Sequence, residues 1–420
     1  MVTTRGISLL GGSALMWLLG RTLGLPELFV VAAATAALVA IAFLWVRRST
    51  ATVSARRLVA TTRLVAGAAT EVGLAVRNDA WLPASLLLLE DRCDHALRPD
   101  AGGGQPPRFV VAGLKPGRTA AMHYMLSGDS RGRYTVGPLS LRTRDPFRLA
   151  ERVRAYPLTH DVVVYPRVEP LGDGLTRGNH HGSEASDNKR MFSSGDEFYT
   201  LREYVRGDEL RQVHWPSTAH RNKLMVRQLE APWKPEAVLF CDTRAGAHRG
   251  AGPDSTLEKA LSVTASVLCH LADRRYELRL ATEADARPPD ASPWQALLDR
   301  LAELAPSRVE SLAPALSRLR GAEAGGLLAA VLAPPSGSGP VAGHADVRAL
   351  LATGRRFSGR LAVVVAASTT GTNPRGAELA GILSASGWQA TVIGPRDSLT
   401  AAWPELLAGR RRRPTGMVRR

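Results

Sequence analysis

The period of the hydrophobic pattern changes along the chain, and each change marks a different kind of element. Ile7 to Gly20 is apolar or small throughout, Arg21 interrupts the run, and Leu23-Gly24-Leu25-Pro26-Glu27 reads as a turn. Leu28 to Val46 then carries no charge. At helical rise its length is about 28 Å, close to the roughly 30 Å hydrocarbon core of a bilayer. The two stretches predict a transmembrane hairpin over residues 1–48. A cleaved signal peptide fits less well, because no small-x-small site followed by polar sequence is present. The turn carries only Arg21 and Glu27, whereas Arg5 precedes the first stretch and Arg47, Arg48, Arg56 and Arg57 follow the second. The positive-inside rule therefore places the N- and C-termini in the cytoplasm and the chain in the cell membrane.

From residue 49 to 168 the pattern is that of short strands. Glu71 to Arg77 alternates and Asn78-Asp79 closes it; Leu86 to Leu89 is continuously apolar; Phe109 to Leu114 ends at Lys115-Pro116-Gly117. Tyr134-Thr135-Val136 ends at Gly137-Pro138, and Leu139-Ser140-Leu141 follows. This spacing predicts an all-β sandwich. Residues 169–232 hold a long polar loop, with His180-His181 in a Gly/Ser context that favours solvent over metal, and then a dense charged segment. From 233 to 396 the pattern becomes α/β. Strands are predicted at Ala237–Cys241, Tyr276–Leu280, Leu327–Leu332, Leu361–Ala366 and Gln389–Ile393. Ser255-Thr256-Leu257-Glu258 reads as a capping box, Ser292-Pro293 as the cap and first position of another helix, and Ala377–Ser386 as a third. Alternation of this kind predicts a mostly parallel sheet covered on both faces. Residues 397–420 read as a basic, unstructured tail.

The formal net charge of +16 fits either nucleic acid or an anionic membrane surface. Its arginines are scattered, without a recognition helix or an aromatic platform, which argues against nucleic acid. Cys93, Cys241 and Cys269 are far apart and form no C-x-x-C pair, so neither a disulfide framework nor a zinc site is expected.

The densest chemistry lies between Phe198 and Glu230, where Arg202, Glu203, Tyr204, Gly207, Asp208, Arg211, His214 and Trp215 fall close together. Three readings compete. The arginines and carboxylates can form a structural charge network, since planar guanidinium groups pair with carboxylates through two bonds. The segment can be a docking surface. Or His214 can act as a general base in a hydrolase, although no serine or cysteine nearby stands in an activating motif.

This segment resembles the signature of the bacterial domain of unknown function 58 family: Arg202-Glu203-Tyr204, Gly207-Asp208, Arg211, His214-Trp215 and Thr218-Ala219, then a strand. Arg131-Gly132-Arg133-Tyr134, Asp145-Pro146-Phe147 and Val164-Tyr165-Pro166 extend the likeness, while Arg206, His220 and Arg148 depart from it. The resemblance implies a von Willebrand factor A-like C-terminal domain. Such domains often hold a metal through D-x-S-x-S after the first strand. Here the stretch is Asp242-Thr243-Arg244-Ala245-Gly246, and a positive charge replaces oxygen ligands, so no metal is expected. The resemblance also implies association with a MoxR-type AAA+ ATPase and a transglutaminase-like membrane protein, and hence a non-enzymatic membrane adaptor or assembly factor without a cofactor. Asp242, Thr243 and Arg244, beyond the carboxyl end of a strand, are the expected partner-binding residues, with Arg244 meeting a partner carboxylate.

The arginine asymmetry generates a topology test. A reporter fused to the C-terminus should be active on the cytoplasmic side of the membrane; activity on the opposite side would invert the assignment.

Overall fold

The computed structural model describes the chain outside residues 52, 82, 102, 104, 173–198, 205–212, 214, 222, 230–234, 322–324, 338, 368–373 and 409–420. It is a mixed α/β protein with two apolar N-terminal helices and several sheets, one of them parallel. It divides into two compact units, Met1–Tyr165 and Pro166–Arg420.

The first unit begins with α1 (Thr4–Leu23) and α2 (Pro26–Ala51). Arg21 does not interrupt α1. It sits in the last turn with its guanidinium 5.9 Å from the centre of the Trp17 ring, and the helix ends only at Gly24, whose φ of 67° terminates it. Ser13 and Gly20 bring the helices together. Gly6, Ser13 and Gly20 are the buried positions of α1, spaced seven apart, and Ser13 Oγ donates to Ala32 O at 2.7 Å. The opposite faces leave Ile7, Leu15, Leu18, Val30, Ile41 and Leu44 exposed.

Ten strands follow. β1 (Val53–Val59), β3 (Ala69–Asn78), β7 (Thr119–Gly128) and β5 (Leu97–Pro99) form one sheet in that order. β2 (Arg63–Val65), β10 (His160–Tyr165), β8 (Gly132–Arg144), β4 (Ala84–Cys93) and β6 (Arg108–Leu114) form the other, with β9 (Glu151–Tyr156) beside β8. Alternating residues of both sheets, among them Val72, Leu74, Val76, Leu87, Leu89, Leu126, Leu139 and Val162, share one core. The sequence placed a break at Gly137-Pro138, but β8 runs through it. Before the glycine β8 pairs with β10, and after the proline with β9, so the dipeptide marks a change of neighbour. Gly137 is required there, because a Cβ would lie 2.1 Å from Leu158 O.

A buried ion pair fixes this point. Arg57 Nε donates to Asp91 Oδ2 at 3.0 Å, its Nη2 pairs with Asp91 Oδ1, and its Nη1 donates to the carbonyls of Val136 and Leu158 at 3.0 and 2.6 Å. Tyr124 Oη donates to Asp91 at 2.9 Å. Burial, and then the neighbouring carboxylate, push the Tyr124 phenol far above its ordinary pKa, so it remains a donor.

In the second unit β11 (Tyr199–Glu203) and β12 (Met225–Leu229) form an antiparallel pair, with α3 (Trp215–Arg221) before β12. The rest alternates: β13 (Glu236–Cys241), α4 (Thr256–Asp273), β14 (Glu277–Thr282), α5 (Trp294–Glu303), α6 (Ala313–Gly321), β15 (Leu327–Leu332), α7 (Ala345–Gly354), β16 (Gly359–Val365), α8 (Pro374–Ala385), β17 (Gln389–Ile393) and α9 (Leu399–Leu407). The five strands from β13 to β17 are parallel, in the order β14-β13-β15-β16-β17. Ser255 caps α4 as expected, its Oγ accepting from Glu258 N at 3.2 Å, while its own amide donates to Gly252 O at 3.1 Å. Ser292 does not cap α5: its hydroxyl turns to Asp290 O, and Pro293 occupies the cap. The expected tail is also corrected. Leu399, Trp403, Leu406 and Leu407 are buried and lie at helical spacing, so α9 packs its apolar face on the unit before the arginines begin. Trp403 Nε1 donates to Gly172 O at 3.1 Å.

Breaking the Arg57–Asp91 pair leaves one charge buried without its partner, which costs on the order of 3–5 kcal/mol. Arg57→Met and Asp91→Leu should each lower the urea midpoint of the chain substantially, and the double variant should recover most of the loss. Full additivity of the two single losses would show that the pair is not coupled.

Candidate functional site

The strand order places a crevice at the carboxyl ends of β13 and β15. In parallel sheets the connections leave in opposite directions at such a point, and loops on the two sides diverge to form a binding cleft. Asp242 follows β13 directly, with its amide bonded to Val331 O at 2.9 Å and its Oδ2 accepting from Ala333 N at 3.2 Å. It therefore spans the crevice at its floor and has no exposure.

Arg244 fills the space above it. Its Nε donates to Asp242 Oδ1 at 2.9 Å, and its Nη2 to Asp242 Oδ2 at 2.8 Å. Its Nη1 donates to Asp346 Oδ2 at 2.7 Å and to Glu310 O at 3.0 Å. Asp346 lies in the first turn of α7. Its other oxygen accepts from Ser311 Oγ at 2.7 Å and from the amides of Leu312 and Ala313 at 2.8 and 3.2 Å. One carboxylate thus holds the arginine and caps the start of α6. A third carboxylate, Glu283, accepts from Thr243 N at 2.9 Å and Thr243 Oγ1 at 2.6 Å. His248 Nε2 lies 2.7 Å from Asp242 O and its Nδ1 3.1 Å from Thr256 Oγ1.

Burial by itself would lower the Arg244 pKa. The bonds to Asp242, and then the charges of Asp242, Asp346 and Glu283, outweigh it and hold the guanidinium charged, above its ordinary value. Asp242, Thr243 and Arg244 do lie beyond the strand end, as expected. They are nearly inaccessible, however, at 0%, 1% and 5% exposure. The expectation that Arg244 meets a partner carboxylate is corrected, because two carboxylates of its own unit already engage the fork. Glu283, Asp346 and His248 were not foreseen. Glu283 follows β14 and Asp346 belongs to α7, and no spacing in the sequence ties either to Asp242; His248 stands six residues on in the same connection.

Of the signature residues, Gly207, Asp208, Arg211 and His214 lie outside the described residues, as do His180 and His181. Arg202 and Glu203 stand in β11 opposite Val226 and Met225. Tyr204 N donates to Leu224 O at 2.8 Å, and Trp215 opens α3 with 66% of its surface exposed. Ser217 lies inside this helix. Thr218 Oγ1 accepts from Met225 N at 3.0 Å, which ties α3 to the start of β12. The Cys269 thiol is pushed up to about 11 by burial and by the charge of Asp273, so it is not a thiolate at neutral pH. No group of three or more His, Cys, Asp or Glu side chains able to hold a metal occurs among the described residues.

These features define a protein with an apolar two-helix N-terminus, a two-sheet β unit and an α/β unit whose crevice is occupied by an internal ion network. Residues 200–333, from β11 to the end of β15, match the family described as "Protein of unknown function DUF58", which bears out the resemblance carried by the signature. The chain is 24% identical over 221 residues to the uncharacterized protein YeaD of Bacillus subtilis (strain 168), covering 49% of this chain. It spans only about half, 50%, of that curated relative's length. Among solved structures, a CARDB domain from Pyrococcus furiosus (13% identity, 27% of this chain, 91% of that one) and a cohesin module from Clostridium perfringens (10%, 27% and 96%) each give a TM-score of 0.20, too low to support any argument.

Removing the guanidinium strands two buried carboxylates. Arg244→Met should destabilise the second unit by about 3–5 kcal/mol, read as a fall in the urea midpoint. Added magnesium should leave the melting temperature of the parent chain unchanged. A magnesium-dependent rise that Asp242→Ala abolishes would show that a cation displaces the arginine.

Proposed function

We propose that the protein is a membrane-anchored, non-enzymatic adaptor or assembly factor acting with a MoxR-type AAA+ ATPase. The observation that carries the anchor is the exposure of the hairpin. Thr4–Leu23 and Pro26–Arg48 are long and apolar enough to cross a bilayer, and only 17% and 22% of their most apolar windows are buried within the protein. A core helix of a soluble protein would bury far more of its apolar surface. The arginine asymmetry supports both termini on the cytoplasmic side.

The binding reading rests on the crevice. A von Willebrand factor A-like unit presents the carboxyl edge of its sheet to a partner, and here Arg244 takes the place that a cation would hold between Asp242 and Asp346. Asp242, Thr243, Arg244, Glu283 and Asp346 bond to one another or to backbone at the floor, which favours a rigid support for the loops above over a reaction centre. Those loops are exposed: Ala245, Gly246 and Arg249 after β13, Arg308, Val309 and Glu310 after α5, and Gly337 and Gly339 after β15. The β13 loop and the α5 loop are sewn together, with Ser307 N donating to Thr243 O and Ala245 N to Ser307 O, both at 2.8 Å. They would meet the ATPase as one surface, with the two-sheet unit read as a β-sandwich spacer and the signature segment as a structural or docking element. A transglutaminase-like membrane protein is a further partner consistent with the family resemblance. The competing hydrolase reading requires His214, and turnover lost in His214→Ala with the fold intact would favour it.

The docking test uses the full chain in detergent and the purified ATPase from the same cell, by pull-down across nucleotide states and salt. Arg308→Glu should weaken capture without changing the urea midpoint, because its side chain is exposed. No capture of the parent under any nucleotide state would reject the partner. Equal capture of parent and variant would reject this surface.

A further inference from the structure

The turn between β8 and β9 is built into the base of the hairpin. Thr3 N donates to Leu149 O at 2.9 Å, Thr3 Oγ1 to Arg148 O at 2.6 Å, and Glu151 N to Met1 O at 2.9 Å. Val2 pairs with Ala150 as an isolated bridge. A Cβ on Gly6 would lie 2.4 Å from Leu149 O, so glycine is what lets α1 approach this closely. Leu149 and Ala150 close a buried cluster with Val39, Ala42 and Val46 of α2. Val39 precedes Arg47 by eight residues, about 12 Å of helix. The turn thus lies beside helix that is on the apolar side of Arg47. If Arg47 and Arg48 mark the headgroup level, the turn reaches past it.

Its side chains suit that depth. Asp145 folds the turn by accepting from Phe147 N at 2.9 Å and Ala150 N at 2.6 Å. Phe147 is left 64% exposed at the tip, without a place in either core. Arg148 beside it is also exposed, with φ at 58°. Arg5, Arg47, Arg48 and Arg152 are exposed around the same base, and Arg152 Nη1 reaches Arg47 O at 2.9 Å. Thr4, Arg5, Ser8, Leu9 and Leu149 line an open hollow next to the turn. The turn's own carboxylates are engaged: Asp145 by the amides above, and Glu151 by Arg144 at 2.9 Å and Arg142 at 3.4 Å.

We propose that this turn is a second membrane contact, in which Phe147 inserts at the boundary of headgroups and acyl chains while Arg5, Arg148 and Arg152 bind phosphates of anionic phospholipids. The proposal rests on the reading of α1 and α2 as membrane spans. An aromatic ring at the interface with basic side chains around it matches what that layer offers: apolar carbon below and negative charge above. Lipid is the occupant favoured over an acidic protein, because the turn is continuous with the apolar flanks of the helices. A protein reaching Phe147 would have to enter the same layer.

The test places the full chain in nanodiscs of phosphatidylcholine with or without phosphatidylglycerol. An environment-sensitive fluorophore is attached at Ile41→Cys on α2, at Phe147→Cys on the turn, or at Val110→Cys on β6, and spin-labelled lipids act as quenchers. The parent chain, labelled in the same way, gives the background from Cys93 and Cys269. The probes at 41 and 147 should be quenched and the probe at 110 should not. Loss of quenching at 41 would remove the membrane reading and this inference with it. Quenching at 41 with position 147 behaving like position 110 would overturn the inference alone. Spin-labelled phosphatidylglycerol should be preferred over phosphatidylcholine at position 147 by about fivefold for each arginine engaged. Arg5→Gln with Arg148→Asn, asparagine being tolerated at this left-handed backbone, should abolish most of that preference. An unchanged preference would overturn the phosphate contacts.

Discussion

A carboxylate buried at the floor of a parallel sheet must be neutralised within the protein, and in the second unit that requirement organises everything near the crevice. Asp242 stands at 0% exposure between the ends of β13 and β15. An unpaired charge there would cost several kcal/mol. Arg244, two residues later, answers it with a two-bonded fork. The remaining guanidinium nitrogen recruits Asp346, and Asp346 in turn fixes the start of α6 through Ser311, Leu312 and Ala313. One pairing thereby positions three loops and the start of a helix.

The first unit meets the same constraint in another way. Arg57 and Asp91 come from different sheets, and the arginine also satisfies the carbonyls of Val136 and Leu158. Those carbonyls flank the place where β8 changes neighbour, where ladder bonding alone would leave them unpaired. In both units the desolvation of two charges offsets much of their attraction, and the arginine's remaining donors hold backbone carbonyls of neighbouring segments.

This arrangement bears on function. The polar groups of the crevice are engaged by its own side chains, and a docking surface of the kind proposed gains from loops held in one arrangement. The Glu169–Lys259 pair at 2.6 Å, joined by Ser398 and Thr400, clips the beginning of the second unit to α4 and to the start of α9. Burial would raise the Glu169 pKa, but the bond from Lys259 and those from Ser398 and Thr400 prevail and hold it below the usual carboxylate value. The clip is therefore ionised at neutral pH.

The sequence by itself determined the elements whose signal is local. Nineteen uncharged residues from Leu28 to Val46 specify an apolar helix whatever surrounds it. Alternation at Glu71–Arg77 specifies a half-buried strand, Ser255 with Glu258 a helix start, and continuous apolar runs at Leu327–Leu332 and Leu361–Ala366 buried parallel strands. The spaced residues from Arg202 to Ala219 carried the resemblance that the match over residues 200–333 bears out. Tertiary structure decided what depends on distant partners. Leu399, Trp403, Leu406 and Leu407 form a helical face within a segment that its downstream arginines made look like a tail. Gly137-Pro138 reads as a chain stop but serves as the point where one strand exchanges neighbours. Arg244 looked like a free cation beside a strand end because Asp346 lies 102 residues away. No period or motif encodes that pairing; only the order of strands in the sheet brings the two charges together.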